Sequence, residues 1–147
     1  MARGGNKQKG KGSAGYNRKN SDDYLARNRS KPDVLETDSG LQILIIDEQT
    51  GQKPTEDDMI LAHQRITLVD GTLVDDTYKR NEPLEFSIKE AIPGYREGLL
   101  KMSVGSRYRF FIPPDLAWGK RGAGDKIGPN AVLIIDIRLI DIQSSIE

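Results

Sequence analysis

Four segments of this chain alternate apolar and polar residues by twos, and the stretches between them hold material for one short helix. In "DMILAHQRITLV" (58–69), Ile60, Ala62, Gln64, Ile66 and Leu68 fall on one face, with the polar Gln64 interrupting it. In "PLEFSI" (83–88) the shared face is Leu84, Phe86 and Ile88; in "SRYRFFI" (106–112) it is Tyr108, Phe110 and Ile112. In "AVLIIDIRLIDI" (131–142) it is Leu133, Ile135, Ile137 and Leu139. The opposite faces carry Glu85, Arg107, Arg109, Asp136 and Arg138. Side chains alternate across a strand, so the pattern predicts an antiparallel sheet with one dry and one wet face. The strand pattern begins at Leu41, with "LQILII".

The dry face needs a cover. Inside the sheet region only "PGYREGLLKM" (93–102) has helical spacing, with Tyr95, Leu99 and Met102 on one side and Gly105 as a stop. A helix this short buries a sheet only if the sheet curls around it. The predicted class is α+β, a strongly twisted antiparallel sheet wrapped on one short helix. No internal repeat is evident.

Upstream, residues 1–20, "MARGGNKQKGKGSAGYNRKN", offer almost nothing to bury and are predicted to form a disordered basic tail. Residues 21–40 read as a short helix and linker: Ser21 is the expected N-cap, Asp22 and Asp23 the first turn, Arg27 and Arg29 the last, and Pro32 the stop. Residues 41–147 form the folded domain. The formal net charge of zero divides unevenly. Residues 1–32 hold nine basic and two acidic residues, +7; the rest hold 13 basic and 20 acidic, −7.

Much chemistry is excluded. There is no cysteine, hence no disulfide framework, thiolate nucleophile or thiolate zinc site, and a reducing compartment is favoured. The first apolar run, at 41–46, is too late and too short for a secretory leader. No stretch approaches the roughly 20 apolar residues of a membrane span. The expected location is the cytoplasm, with no membrane association, and Asn28-Arg29-Ser30 is a chance sequon. The single histidine, His63, builds no metal site alone and is expected on the outer face. No metal or cofactor is expected. Nucleophile-elbow and P-loop patterns are absent, and "GAGDKIG" (122–128) misses the dinucleotide fingerprint. Asp75 and Asp76 are adjacent on an extended chain and so point to opposite sides. What remains is an apolar concavity with few polar groups. Beside it, "IPPDLAWGKRGAG" (112–124) places the chain's one tryptophan on an irregular loop, where such a residue walls a site.

The spacing of D-G…D…Y-K-R…E-P, I-P-G, G-L, M-x-V-G-S, I-P-P-x-L-A, G-x-R-G-A-G and P-N resembles the FKBP-type peptidyl-prolyl cis-trans isomerases, in particular their Mip-like bacterial branch. The resemblance runs over roughly residues 39–143. "YLARN…KPDV…TDSGLQ" is similar to the end of the linker helix that precedes the domain in that branch. The branch's dimerising helices have no counterpart, the basic tail standing in their place, which implies a monomer. The resemblance implies a half-barrel sheet around one helix, and rotation about Xaa-Pro bonds of peptides or unfolded proteins. That rotation faces a barrier of about 18–20 kcal/mol because the amide C–N bond has double-bond character. It needs apolar walls and no nucleophile. By resemblance, Asp75, Tyr95 and Trp118 are the catalytic residues, and Gln64, Val74, Phe86, Ala91, Ile92, Ile127 and Ile135 bind substrate.

Several positions depart from the family pattern. His-Tyr-x-Gly reads His63-Gln64-Arg65-Ile66, Phe-Asp reads Val74-Asp75, and the floor tryptophan is Tyr95. Ala-Tyr-Gly reads Ala117-Trp118-Gly119, the last-strand phenylalanine is Ile135, and Ile-Pro-Pro reads Ile127-Gly128-Pro129. A pocket poorer in aromatics implies weakened turnover. The alternative is a peptide-binding or chaperone module with negligible turnover. A third expectation is weak RNA or ribosome contact through residues 1–32, whose nine cations are interspersed with Tyr16 and Tyr24. Gln64 carries amide donors and is expected to hydrogen-bond Asp75.

Overall fold

A computed structural model describes residues 14–143. Its elements are α1 (Ala14–Arg29), β1 (Val34–Glu36), β2 (Gln42–Asp47), β3 (Met59–Leu68), β4 (Leu73–Asp76), α2 (Thr77–Arg80), β5 (Leu84–Ser87), α3 (Pro93–Leu99), β6 (Arg107–Ile112) and β7 (Leu133–Gln143). The strands form one sheet in the order β1-β2-β6-β7-β3-β4, and every pairing is antiparallel. β3 is shared along its outer edge: β5 pairs with its first half and β4 with its second. β7 lies between β6 and β3, pairing Ile135 with Phe110 on one side and Ile66 on the other.

The sheet wraps around α3, as the alternation requires. Tyr108, Phe110, Ile112, Leu133, Ile135, Ile137 and Leu139 are buried with Tyr95, Leu99 and Met102 in one core. Pro93 occupies the first turn of α3, where its missing N–H costs nothing. Two glycines set how closely this helix lies on the sheet. A Cβ on Gly94 would come within 2.5 Å of Ile112 Cγ2, and one on Gly98 within 2.5 Å of Phe110 Cζ.

The wet face departs from expectation, because α1 covers part of it. Leu25 packs with Phe111 and Val132 in a second apolar cluster, and Tyr24 tilts on Phe111 at 6.5 Å between centroids. The helix begins at Ala14 rather than Ser21, so residues 14–20 are helical where disorder is expected. The disorder expected for residues 1–13 lies outside the described residues. Local propensity misplaces the boundary because tertiary contacts supply most helix stability. Ser21 is no N-cap. It sits mid-helix, 6% exposed, and donates through Oγ to the Asn130 carbonyl at 2.6 Å.

Further along that face, Asp136 accepts from Arg107 Nε at 2.9 Å and Nη2 at 3.0 Å, from Arg109 Nη2 at 3.2 Å and from the Tyr78 hydroxyl at 3.1 Å. Burial pushes its carboxyl up, but the arginine bonds outweigh burial and hold it below its usual range. His63 is half-buried, not a plain surface residue: its Nδ1 lies 2.9 Å from Thr77 Oγ1 and its ring stacks on Tyr78 at 5.0 Å.

Gly98→Ala tests the close approach of α3. The added methyl would have to displace the fully buried Phe110 ring, and a loss of about 1–3 kcal/mol in denaturant unfolding is expected. Unchanged stability would mean that the helix rides higher on β6 than described.

Candidate functional site

The predicted polar side of the site is continuous. On β3, Gln64 faces the concave side and is 6% exposed. Its Nε2 donates to Asp75 Oδ2 at 2.7 Å, the contact expected from the sequence. Its Oε1 accepts from the Tyr95 hydroxyl at 2.7 Å. Arg80 Nη1 reaches the other Asp75 oxygen at 2.9 Å. Tyr95, Gln64, Asp75 and Arg80 thus form one hydrogen-bonded chain from α3 across β3 and β4 to α2. Asp75 and Asp76 point apart as expected: Asp76 accepts from the Lys79 N–H at 3.2 Å, capping α2, and pairs with Arg65 at 3.3 Å. Sequence reasoning missed two links. Arg80 was visible as the last residue of Y-K-R, one short helix beyond Asp75, whereas nothing in the spacing marks the Tyr95 hydroxyl as a donor to Gln64.

The electrostatics follow. Burial pushes the Asp75 carboxyl up, yet the bonds from Gln64 and Arg80 and the attraction of Arg80 hold it below its ordinary value. Complete burial, chiefly, pushes the Tyr95 phenol well above its ordinary value. Asp75 is therefore an anion and Tyr95 a neutral donor at neutral pH.

Of the apolar residues, Phe86 meets this line directly, and all but Trp118 belong to or pack on the same core. The Phe86 and Tyr95 rings tilt together at 5.6 Å, and Tyr95 meets Phe110 edge-on at 6.2 Å. Val74, Phe86, Ala91 and Ile92 are half-buried against the same core. Ile127 is buried in it too. Ile135, 1% exposed, lies within the dry face of β7 and beneath the site rather than as an open wall, because its short branched side chain stays in the core. Trp118 is 44% exposed on the loop after β6. That loop is closed by its own backbone. The Gly122 N–H donates to Trp118 O at 3.2 Å, Ala123 and Ile127 exchange bonds of 2.8 and 3.2 Å, and the Asn130 N–H donates to Gly119 O at 2.8 Å.

Another concavity, of about 750 Å³, lies on the convex face, lined by residues including Tyr24, Asn28, Arg65, Arg107, Arg109 and Phe111. It shares no residue with the predicted site. Two of its arginines, Arg107 and Arg109, are committed to Asp136. Among the described residues no group of three or more His, Cys, Asp or Glu could hold a metal ion.

Residues 50–140 match the family described as FKBP-type peptidyl-prolyl cis-trans isomerase. The chain belongs to that family. Residues 3–45 also match the domain amino-terminal to FKBP-type isomerases. Similar proteins include the "Outer membrane protein MIP" of Legionella longbeachae, 42% identical over 88% of this chain and 55% of that protein. The FKBP-type isomerase FkpA of Aeromonas hydrophila is 43% identical over 86% of this chain and 47% of its own. The chain thus spans about half the length of these relatives. Among solved structures, FkpA from Escherichia coli superposes with a TM-score of 0.85 at 32% identity, covering 90% of this chain and 62% of that one. An isomerase from Pseudomonas syringae superposes at 0.83 and 28% identity, covering 90% and 98%. The FKBP half-barrel around one helix is therefore the fold of this chain.

Gln64→Leu removes the donor to Asp75 and the acceptor for Tyr95 together. An unpaired buried polar group costs about 1–3 kcal/mol, and a stability loss of that order is expected. The Asp75 contribution is fully present above the unfolded carboxylate pKa of about 3.9 and is lost as pH falls through its lowered folded pKa. The gap between parent and variant should therefore be widest above about pH 4 and shrink in acid. Equal stabilities across a pH series of melts would show that Gln64 does not support Asp75.

Proposed function

We propose that this chain catalyses cis–trans rotation about Xaa-Pro bonds in peptides and unfolded proteins, at a rate lowered by its changed pocket walls. The observation that carries the reading is the apolar floor at Tyr95 joined through Gln64 to the Asp75 carboxylate. The planar amide is resonance-polarised and the twisted transition state less so. A site that excludes water withdraws solvation from the planar form, while hydrogen bonds hold the twisted one. In this reading Tyr95 floors the proline, with Phe86 and Ile92 at its side. Trp118 and Ile127 close over it from the loop, and Asp75 orients the polar side. Weakened turnover is supported by Val74 and Gln64, which stand where the family carries aromatics.

A second reading, peptide capture with negligible turnover, draws support from the Tyr95 hydroxyl, already engaged by Gln64. Isomerisation of a series of short Xaa-Pro peptides separates the two. Saturable catalysis is expected; a rate equal to the uncatalysed one across the series, with binding retained, would favour capture. Val74→Phe is expected to raise kcat/KM by restoring an aromatic wall, and a tenfold gain would correspond to ~1.4 kcal/mol in the transition state.

The protein is further proposed to be monomeric and cytoplasmic. Supporting this, Tyr24 and Leu25 of α1 pack on the chain's own sheet, and the composition is free of cysteine. Weak RNA contact through residues 1–32 rests on their +7 charge. RNA titrations of the full chain should weaken steeply as salt rises, about in step with the phosphates neutralised. Salt-independent binding, or none, removes the tail from this role.

A further inference from the structure

The loop carrying Trp118 and Ile127 is closed on itself but is not paired into the sheet until β7 begins at Leu133. Just ahead of the strand, before Ala131 and Val132, come Pro129, which has no N–H to give, and Asn130, at a left-handed φ of 55°. The outward carbonyls of both are taken by α1. Asn17 Nδ2 donates to Pro129 O at 3.0 Å, and Ser21 Oγ donates to Asn130 O at 2.6 Å in a buried setting. One step away on the helix, Arg18 reaches Asp115 at 3.0 Å in the turn that precedes Trp118. That ion pair is exposed and contributes less. Positions 17 and 21 are one turn apart and so lie on one face of the helix.

The connection does not stop at the carbonyl. Asn130 donates its own N–H to Gly119 O, so Ser21, Asn130 and the residue after Trp118 form one hydrogen-bonded line. The far half of α1 is fixed independently. Leu25 is packed on Phe111 and Val132, and Asn28 Nδ2 donates to Gln42 Oε1 at 2.8 Å. A helix seated on the convex face of the sheet thereby holds the loop that carries Trp118 and Ile127.

We infer that α1 is a strut that sets the cleft loop, with Ser21 and Asn17 as positioning residues for Xaa-Pro isomerisation. They touch no substrate; they fix where Trp118 and Ile127 stand relative to Tyr95 and Asp75, which belong to α3 and the sheet. The inference rests on the isomerase reading for its kinetic consequence but not for its geometry.

Trp118 is the chain's only tryptophan, so intrinsic fluorescence reads this loop directly. The full chain is compared with Ser21→Ala, Asn17→Ala, Ser21→Thr and Lys19→Ala, each below its melting temperature. Lys19 is on the same helix but pairs outward with Asp23, and its variant serves as the control. Ser21→Ala is expected to make Trp118 more accessible to acrylamide and to lower kcat/KM about fivefold, the factor for one lost hydrogen bond, mainly through KM. Asn17→Ala should act in the same direction and carries the test if Ser21→Ala fails to fold. Ser21→Thr, which keeps the hydroxyl, should return both readouts toward the parent, and Lys19→Ala should change neither. A folded Ser21→Ala or Asn17→Ala protein with the parent's quenching and kcat/KM overturns the inference, as does an equal effect from Lys19→Ala. If the parent itself shows no turnover, the isomerase reading falls while Trp118 quenching still decides the strut.

Discussion

The separation between a two-turn helix and the strand under it governs this molecule. α3 has seven residues, too few to cover a flat sheet of seven strands. The sheet therefore curls, and the helix presses into the hollow. Gly94 and Gly98 make that contact close, because each presents bare backbone to Ile112 or Phe110. Burial scales with apolar area removed from water, at about 25 cal/mol per Å², so closeness compensates for shortness. The same contact fixes Tyr95 at the centre of the hollow, between Phe86 and Phe110. Tyr95 thus belongs both to the core and to the hydrogen-bonded line that runs through Gln64 to Asp75.

Gln64 shows what a substitution inside such a site must satisfy. It lies between a buried hydroxyl and a carboxylate, so it must accept from one and donate to the other. A primary amide does both at once. An aliphatic residue of similar size would fill the space and leave both neighbours unpaired.

The fold was legible where a strand buries one face along its length. The alternation of Tyr108, Phe110 and Ile112, and of Leu133 to Leu139, located β6 and β7 and their inward sides. It was silent on β1, which has three residues, and on β4, whose Leu73-Val74-Asp75-Asp76 does not alternate apolar with polar residues. The outer face was read as wet from Arg107, Arg109, Asp136 and Arg138, and the cover that α1 gives Phe111 and Val132 was missed, because it comes from about a hundred residues away in sequence and period carries no such information. Ser21 misled for a related reason. A serine before two aspartates is a strong N-cap signal, yet this hydroxyl is used by a carbonyl of a distant loop. Of the site, Asp75 and its bond to Gln64 were legible through the resemblance, which implies a tyrosine donating to the aspartate where this chain has an amide donor instead. The Tyr95–Gln64 bond was not, since it depends on how far α3 sinks into the sheet.

The position of β7 bears on how the chain comes to be folded at all. It is the last strand in the described sequence and a central one in the sheet, inserted between β6 and β3. Until it arrives, β3 lacks its main partner and the hollow around α3 stays open to water. Sheets closed by such sequence-distant pairings have high contact order and assemble slowly. The earlier strands then expose edges and apolar faces in the interval. Synthesis from the amino terminus cannot consolidate this domain piece by piece; it closes as a unit when its final strand is delivered.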